Sequence, residues 1–166
     1  MADVSVRPAR PTDAEFVAKV QLETWQAAYG DLLPAEALAL PLDKTAAVWL
    51  NAIEAPPTSR HRVLVACEQG EVVGFAAIEP VDEGAELSAL LVEPRWGRRG
   101  HGSRLIAACA DHWRGDGVAL AVTWAFEADT VMIAFLESAG WAFDGLGRGL
   151  DTGERVLPQR RLHTAL

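Results

Sequence analysis

Apolar residues along the chain fall into short runs and helical stripes, and their spacing lays out a succession of elements. Val4 to Arg7 alternates with period two, as a strand does, and Arg10-Pro11 ends it. Thr12-Asp13-Ala14-Glu15 reads as a capping box in which Thr12 accepts from the Glu15 N–H. The spacing then predicts a helix over Asp13 to Ala28, with Phe16, Val20 and Trp25 on its apolar face and Gly30-Asp31 as its stop. Leu33-Pro34-Ala35-Glu36 opens a short helix through Leu40, and Thr45 to Ile53 predicts a third before the Pro56-Pro57 break. RVLVACE from Arg62 and EVVGFAAIE from Glu71, joined at Gln69-Gly70, predict a hairpin. Glu86 to Val92 is an apolar run ending at Pro94, and Leu105, Ile106 and Cys109 then repeat at helix-face spacing. A strand over Val118 to Trp124 precedes a helix from Asp129 to Ala139, ended by Gly140. Trp141 to Phe143 and Arg155 to His163 are the last two strands, joined by a glycine-rich connection from Gly145 to Gly153.

That order of elements predicts a mixed α/β sheet in a single domain spanning residues 1–166. A chain of 166 residues is long enough for one proper core and short for two. Half of the residues are hydrophobic and 23% are charged, the ordinary balance of a soluble globular chain. MADVSVRPARP contains no apolar leader core and no run of apolar residues is long enough to span a bilayer, so neither a signal peptide nor a membrane span is expected. Cys67 and Cys109 form neither a metal spacing nor a disulfide framework; they read as buried thiols of a cytoplasmic, reducing compartment. The net charge of −8, with a pI near 4.9, argues against nucleic acid or an anionic membrane as partner and mildly favours a cationic amine.

The candidate chemistry begins where the strand Glu86 to Val92 meets the helix beyond it. Gly97-Arg98-Arg99-Gly100-His101-Gly102 places three glycines within six residues, with two arginines among them, at a strand-to-helix turn. Glycines permit positive φ and close approach, successive N–H groups then face one concavity, and the helix start adds its positive dipole end. The expected guest is an anion, and Arg98, Arg99 and Arg104 favour one with more charge than a carboxylate, such as a pyrophosphate. No Lys-Ser/Thr follows the last glycine, so the turn is not a P-loop, and the third glycine of a dinucleotide fingerprint is missing.

Val92-Glu93-Pro94 followed by Gly100-His101-Gly102 resembles the acetyl-CoA motif of the GNAT superfamily of N-acetyltransferases. That family's pattern is an apolar strand ending in Val-x-Pro, then Gln/Arg-x-x-Gly-x-Gly/Ala opening a helix. Gly97 falls in the Gln/Arg slot, with Arg98 where the family often has glycine. Thr123 to Trp141 is similar to the family's closing motif: Phe135, Glu137 and Gly140 match, and Trp141 replaces another aromatic. Asp129 takes the asparagine slot, and Leu136 takes the slot of the tyrosine that many members use as acid toward the coenzyme A thiolate.

The resemblance implies a GNAT-like α/β (α+β) fold, a mixed, mostly antiparallel sheet of about six to seven strands with about four to five helices, splayed between the fourth and fifth strands. It also implies acetyl-CoA as co-substrate, without a metal, bound by Leu90, Leu91, Val92, Gly97, Arg98, Arg99, Gly100, His101, Gly102, Ser103 and Asp129. The activity it implies is direct attack of a primary amine, on a small molecule or a peptide N-terminus, upon the acetyl thioester. Donors for the oxyanion would be backbone N–H groups at Leu90 to Val92. Glu86 is the first candidate for general base, with Glu127 and Asp129 behind it; Asp129 equally reads as a helix cap. Tyr29, the sole tyrosine, is a candidate for the missing acid or for the substrate wall, and Trp25 and Ser88 join it as substrate-side residues. His101 reads either as a coenzyme contact or as a solvent-exposed side chain. A homodimer is compatible with the resemblance. The alternative function is a catalytically weak acyl-CoA-binding regulator or sensor, suggested by Leu136 and Gly97.

Overall fold

The computed structural model describes residues 3–166; Met1 and Ala2, the start of the segment read above for a leader, lie outside the described residues. Seven strands form one sheet in the order β1 (Val4–Pro8), β2 (Arg62–Glu68), β3 (Glu71–Val81), β4 (Gly84–Val92), β5 (Leu120–Phe126), β7 (Val156–Ala165) and β6 (Ala142–Asp151). Every neighbouring pair is antiparallel except β4 and β5, which run parallel. The helices are α1 (Ala14–Tyr29), α2 (Ala35–Leu38), α3 (Leu42–Glu54), α4 (His101–Gly115) and α5 (Thr130–Ser138).

Alternation along the strands divides the core between the two faces of this sheet. Leu64, Leu87 and Leu90 pack with Leu105, Cys109 and Trp113 of α4 and with Leu136 of α5. Val65, Phe75 and Leu91 face the other way, against Val17 and Val20 of α1. Trp113 meets Trp141 edge to face, with ring centroids 6.3 Å apart. Both cysteines are free and buried, as their isolation in the sequence suggested.

The antiparallel hairpins and the helix periods follow the apolar pattern, and the differences from it have identifiable causes. The Thr12–Glu15 capping box does not form. Asp13 is drawn away instead: it pairs with Arg7 at 2.6 and 3.1 Å and accepts from the Arg10 N–H, so α1 begins one residue later with no side-chain cap. Phe16 is 55% exposed, and the buried stripe of α1 is Val17, Val20, Gln21 and Thr24. The glycine-rich stretch expected as a loop is strand β6, with its hairpin turn after Asp151. A Cβ at Gly149 would fall 2.4 Å from Val156 Cγ1, so its lack of a side chain is what admits the neighbouring strand.

Candidate active site

The pairing of β4 with β5 is confined to Ala85–Ala121 and Glu86–Val122. Beyond that point the strands separate, and the β4 backbone groups that face away from β3 are left to line a split. A β-bulge in β4 sits at the same place: Ala89 is opposite Ala77 and Leu87 opposite Ile78, so Ser88 is the extra residue and its hydroxyl donates to the Ala77 carbonyl at 3.1 Å. The bulge puts Leu87 and Leu90 on the same face although they are three positions apart. At the apex, the buried Thr123 hydroxyl donates across the split to the Leu87 carbonyl at 2.7 Å.

A cavity of about 270 Å³ occupies this opening. Its floor is Leu87 to Leu91 of β4, its far side is Thr123 to Phe126 of β5 with Asp129 and Leu136, and α1 closes it with Gln21, Trp25 and Tyr29. Those three recur every fourth residue, so they form one stripe along α1. Trp49 Nε1–H donates to Gln21 Oε1 at 2.7 Å and its ring meets Phe75 edge on, which fixes the near end of the wall. At the far end the Tyr29 hydroxyl donates to Asp129 Oδ2 at 2.6 Å, and Asp129 Oδ1 accepts from the Met132 N–H at 3.0 Å, capping α5. Burial, then the bond to Asp129, raises the Tyr29 phenol far above its ordinary pKa. Leu136 is buried, 1% exposed, where it can pack but not donate a proton.

The anion turn lies at the open end of β4. Gly100 is left-handed at φ 83° and starts α4 without any side-chain cap, leaving the first N–H groups of the helix, those of His101, Gly102 and Ser103, for a ligand. A Cβ at Gly102 would come 3.1 Å from the Phe135 ring, so α4 and α5 approach closely just behind the turn. Gly97 is extended, at φ −64° and ψ 156°, whereas Arg98 takes the left-handed conformation at φ 60°. The glycine and the residue that most benefits from being glycine are thus one position apart. An uncapped helix start and glycine backbone, flanked by the guanidiniums of Arg98 and Arg99, suit a pyrophosphate.

His101 is not the exposed residue that its setting in the turn suggested: it is 1% exposed. Its Nε2 lies 2.7 Å from Glu68 Oε2, and Arg104 Nη2 approaches its Nδ1 at 3.3 Å. A guanidinium can only donate, so Nδ1 accepts and the proton sits on Nε2, directed at Glu68. Glu68 also holds Arg99 at 3.0 Å, and its carboxyl is held below the usual range, first by His101 and then by Arg99. Arg104 donates back to the Arg99 carbonyl at 2.8 Å. The turn therefore rests on a carboxylate from the end of β2 that the sequence marked only as the polar end of an apolar run.

Trp25, Tyr29, Ser88, Leu90, Leu91 and Asp129 come together around the cavity; Val92 and Gly97 to Ser103 continue from β4 into the turn. Glu86 stands at the paired end of the split, on the α1 side of β4, outside the cavity lining. It is half-buried opposite Glu79, and burial followed by Glu79 raises its carboxyl above the usual range while Arg148 opposes the shift. Glu127 instead pairs with Arg160 at the surface. Gln21, Thr123 and Glu68 were not singled out in the sequence, since each acquires its role through contacts with distant segments. Among the described residues no group of His, Cys, Asp or Glu is placed to hold a metal ion, and no helix is long and apolar enough to cross a membrane.

The arrangement can be set beside known proteins. The family model described as the acetyltransferase (GNAT) family matches residues 21–141. The uncharacterized N-acetyltransferase YuaI of Bacillus subtilis is 29% identical over 139 residues, 80% of this chain and 77% of its own length. Among solved structures, the PaiA N-acetyltransferase of Thermoplasma acidophilum, in complex with coenzyme A, superposes with a TM-score of 0.82 at 17% identity, over 99% of each chain. The ribosomal-protein-alanine N-acetyltransferase of Brucella melitensis superposes with a TM-score of 0.78 at 19% identity, over 98% of this chain and 99% of its own. At these identities the structural likenesses speak for the fold.

Proposed function

The chain belongs to the GNAT family of acetyltransferases, and from that membership we propose that it moves an acetyl group from acetyl-CoA to a primary amine, on a small molecule or a peptide N-terminus, by direct attack. One observation carries this reading: the split between β4 and β5 opens a cavity floored by β4, and β4 itself leads through a short turn to an uncapped, glycine-rich helix start. A thioester needs both, a slot for a narrow pantetheine arm and an anchor for its pyrophosphate. His101, Gly102 and Ser103 would hold the pyrophosphate through their backbone N–H groups, with Arg98 and Arg99 as counter-charges.

The acetyl carbonyl then lies along β4, where backbone N–H groups at Leu90 to Val92 serve as oxyanion donors. An alkylamine is mostly protonated at neutral pH, so a base must act before attack. Glu86 takes that role: burial and Glu79 raise its carboxyl toward the working pH, and its place outside the cavity lining routes the proton through water. Glu86 passes that first proton to solvent and then takes the second, which the nitrogen releases as it bonds to the acetyl carbon and the C–S bond breaks. The sulfur departs as a thiolate that takes its proton from solvent, since Leu136 cannot supply one. Leu136 also favours a second reading, an acyl-CoA-binding module with little turnover.

Calorimetric titration with acetyl-CoA, on wild type and on Ser103→Glu, tests the anchor, because Ser103 is exposed and its replacement strains nothing. Binding that the new carboxylate abolishes at unchanged melting temperature supports the site; no binding by wild type removes the reading. Thiol release over a panel of amines then separates the enzyme from the binding module, which would bind acetyl-CoA and release none.

A further inference from the structure

We propose that Tyr29 and Asp129 form a positioning couple, which sets the separation of the two cavity walls between which thioester and amine meet. The inference rests on the acetyl-transfer reading above. It starts from topology: the α1 stripe packs on one face of the sheet and α5 on the other, and the split is where they can reach each other. The Tyr29–Asp129 bond, at 2.6 Å, joins them across it.

Asp129 acts with both oxygens. Oδ1 holds the Met132 N–H and thereby the first turn of α5, while Oδ2 holds the phenol at the end of α1. Displacing either partner frees the start of the helix that carries Leu136 into the cavity wall. The Tyr29 ring is further fixed edge on against Phe126, with centroids 5.1 Å apart, so the hydroxyl has little freedom to turn elsewhere. Reacting atoms must approach to about 3–3.5 Å, and a wall displaced by about 1 Å costs rate rather than binding. A phenol whose proton is given to a carboxylate, and whose ionisation burial opposes, is a poor acid toward a thiolate of pKa about 8.5. Its place in the reaction is therefore geometric.

Tyr29 is the sole tyrosine, so tyrosinate absorbance reports on it alone and needs no substrate. In wild type the signal should emerge only well above the ordinary phenol pKa of about 10. In Asp129→Asn it should move down toward that value, because the amide can still accept from Met132 and donate to the Tyr29 oxygen but carries no charge. Identical titrations in the two proteins would overturn the couple. With acetyl-CoA and an accepted amine, Tyr29→Phe should lower kcat about tenfold with both KM values within about twofold, the split expected of misplacement. Asp129→Asn, with its reversed bond, should recover most of the rate that Asp129→Ala loses. An unchanged kcat in Tyr29→Phe, or equal losses in Asn and Ala, would reduce the bond to a structural contact. Failure of wild type to turn over any amine would overturn the acetyl-transfer reading, while the absorbance titration would still decide whether the bond exists.

Discussion

The two halves of the site are built in opposite ways. The half proposed for the coenzyme is nearly continuous, running from β4 through the glycine turn into α4, with only Glu68 reaching in from another strand. The half proposed for the acceptor is assembled from a stripe on α1, Trp49 of α3, the end of β5 and Asp129, partners up to 100 residues apart. A continuous half suits a constant ligand, as the phosphates and pantetheine of a coenzyme are. A composite half can change its occupant when any one contributor changes, which is how the family reading fixes the donor and leaves the acceptor open.

If that division holds, damage should sort by half. The largest effect belongs to Ser103→Glu, which sets a carboxylate against the phosphate nest and should weaken acetyl-CoA binding by about 100-fold or more in calorimetry. Glu86→Gln should leave coenzyme affinity intact and lower kcat/KM for the amine by roughly 100-fold, the usual worth of a general base. Stability should move the other way. Because the folded Glu86 carboxyl titrates above its unfolded value, the unfolded chain gives up the proton first and Glu86 subtracts from stability as pH rises above the carboxylate range. Glu86→Gln should therefore melt higher than wild type at neutral pH and show no gain at acid pH.

Smaller effects test the frame that joins the halves. Thr123→Val removes the hydroxyl that bridges the apex and leaves the buried Leu87 carbonyl unpaired, a cost of about 1–3 kcal/mol measurable by denaturant unfolding. Both substrates should suffer, since the apex belongs to both halves. Arg98→Gly should stabilise by about 1 kcal/mol, because glycine takes the left-handed conformation without a Cβ penalty. Its coenzyme affinity should fall slightly with the lost charge.

The same contrast explains what could be read from the chain. The anion turn was legible because glycine spacing, flanking arginines and the helix pattern are local properties, and β4 announced itself as an apolar run. Gln21 and Thr123 were not legible: a glutamine in a helix says nothing until a tryptophan from the next long helix donates to it. The β6 strand was mistaken for a loop because alternate glycines look like a linker, and only the proximity of Val156 gives Gly149 its reason. Asp13 pre-empted the Thr12 cap through Arg7, a partner on a different element. His101 shows the limit from the other side, since its position in the turn was evident and its burial against Glu68 was not.

A protein that holds an activated thioester also risks acylating itself, and the residues around the turn bear on that hazard. Its flanking cations, Arg98, Arg99 and Arg104, are guanidiniums, which stay protonated and do not attack. The only lysines, Lys19 and Lys44, stand on α1 and α3 rather than at the turn. Cys67 and Cys109 are sealed in the core, where burial pushes the Cys109 thiol up to about 12 and raises that of Cys67. With both thiols buried and neither lysine lining the cavity, an acetyl group held in the proposed site meets no lysine or thiol of this chain there.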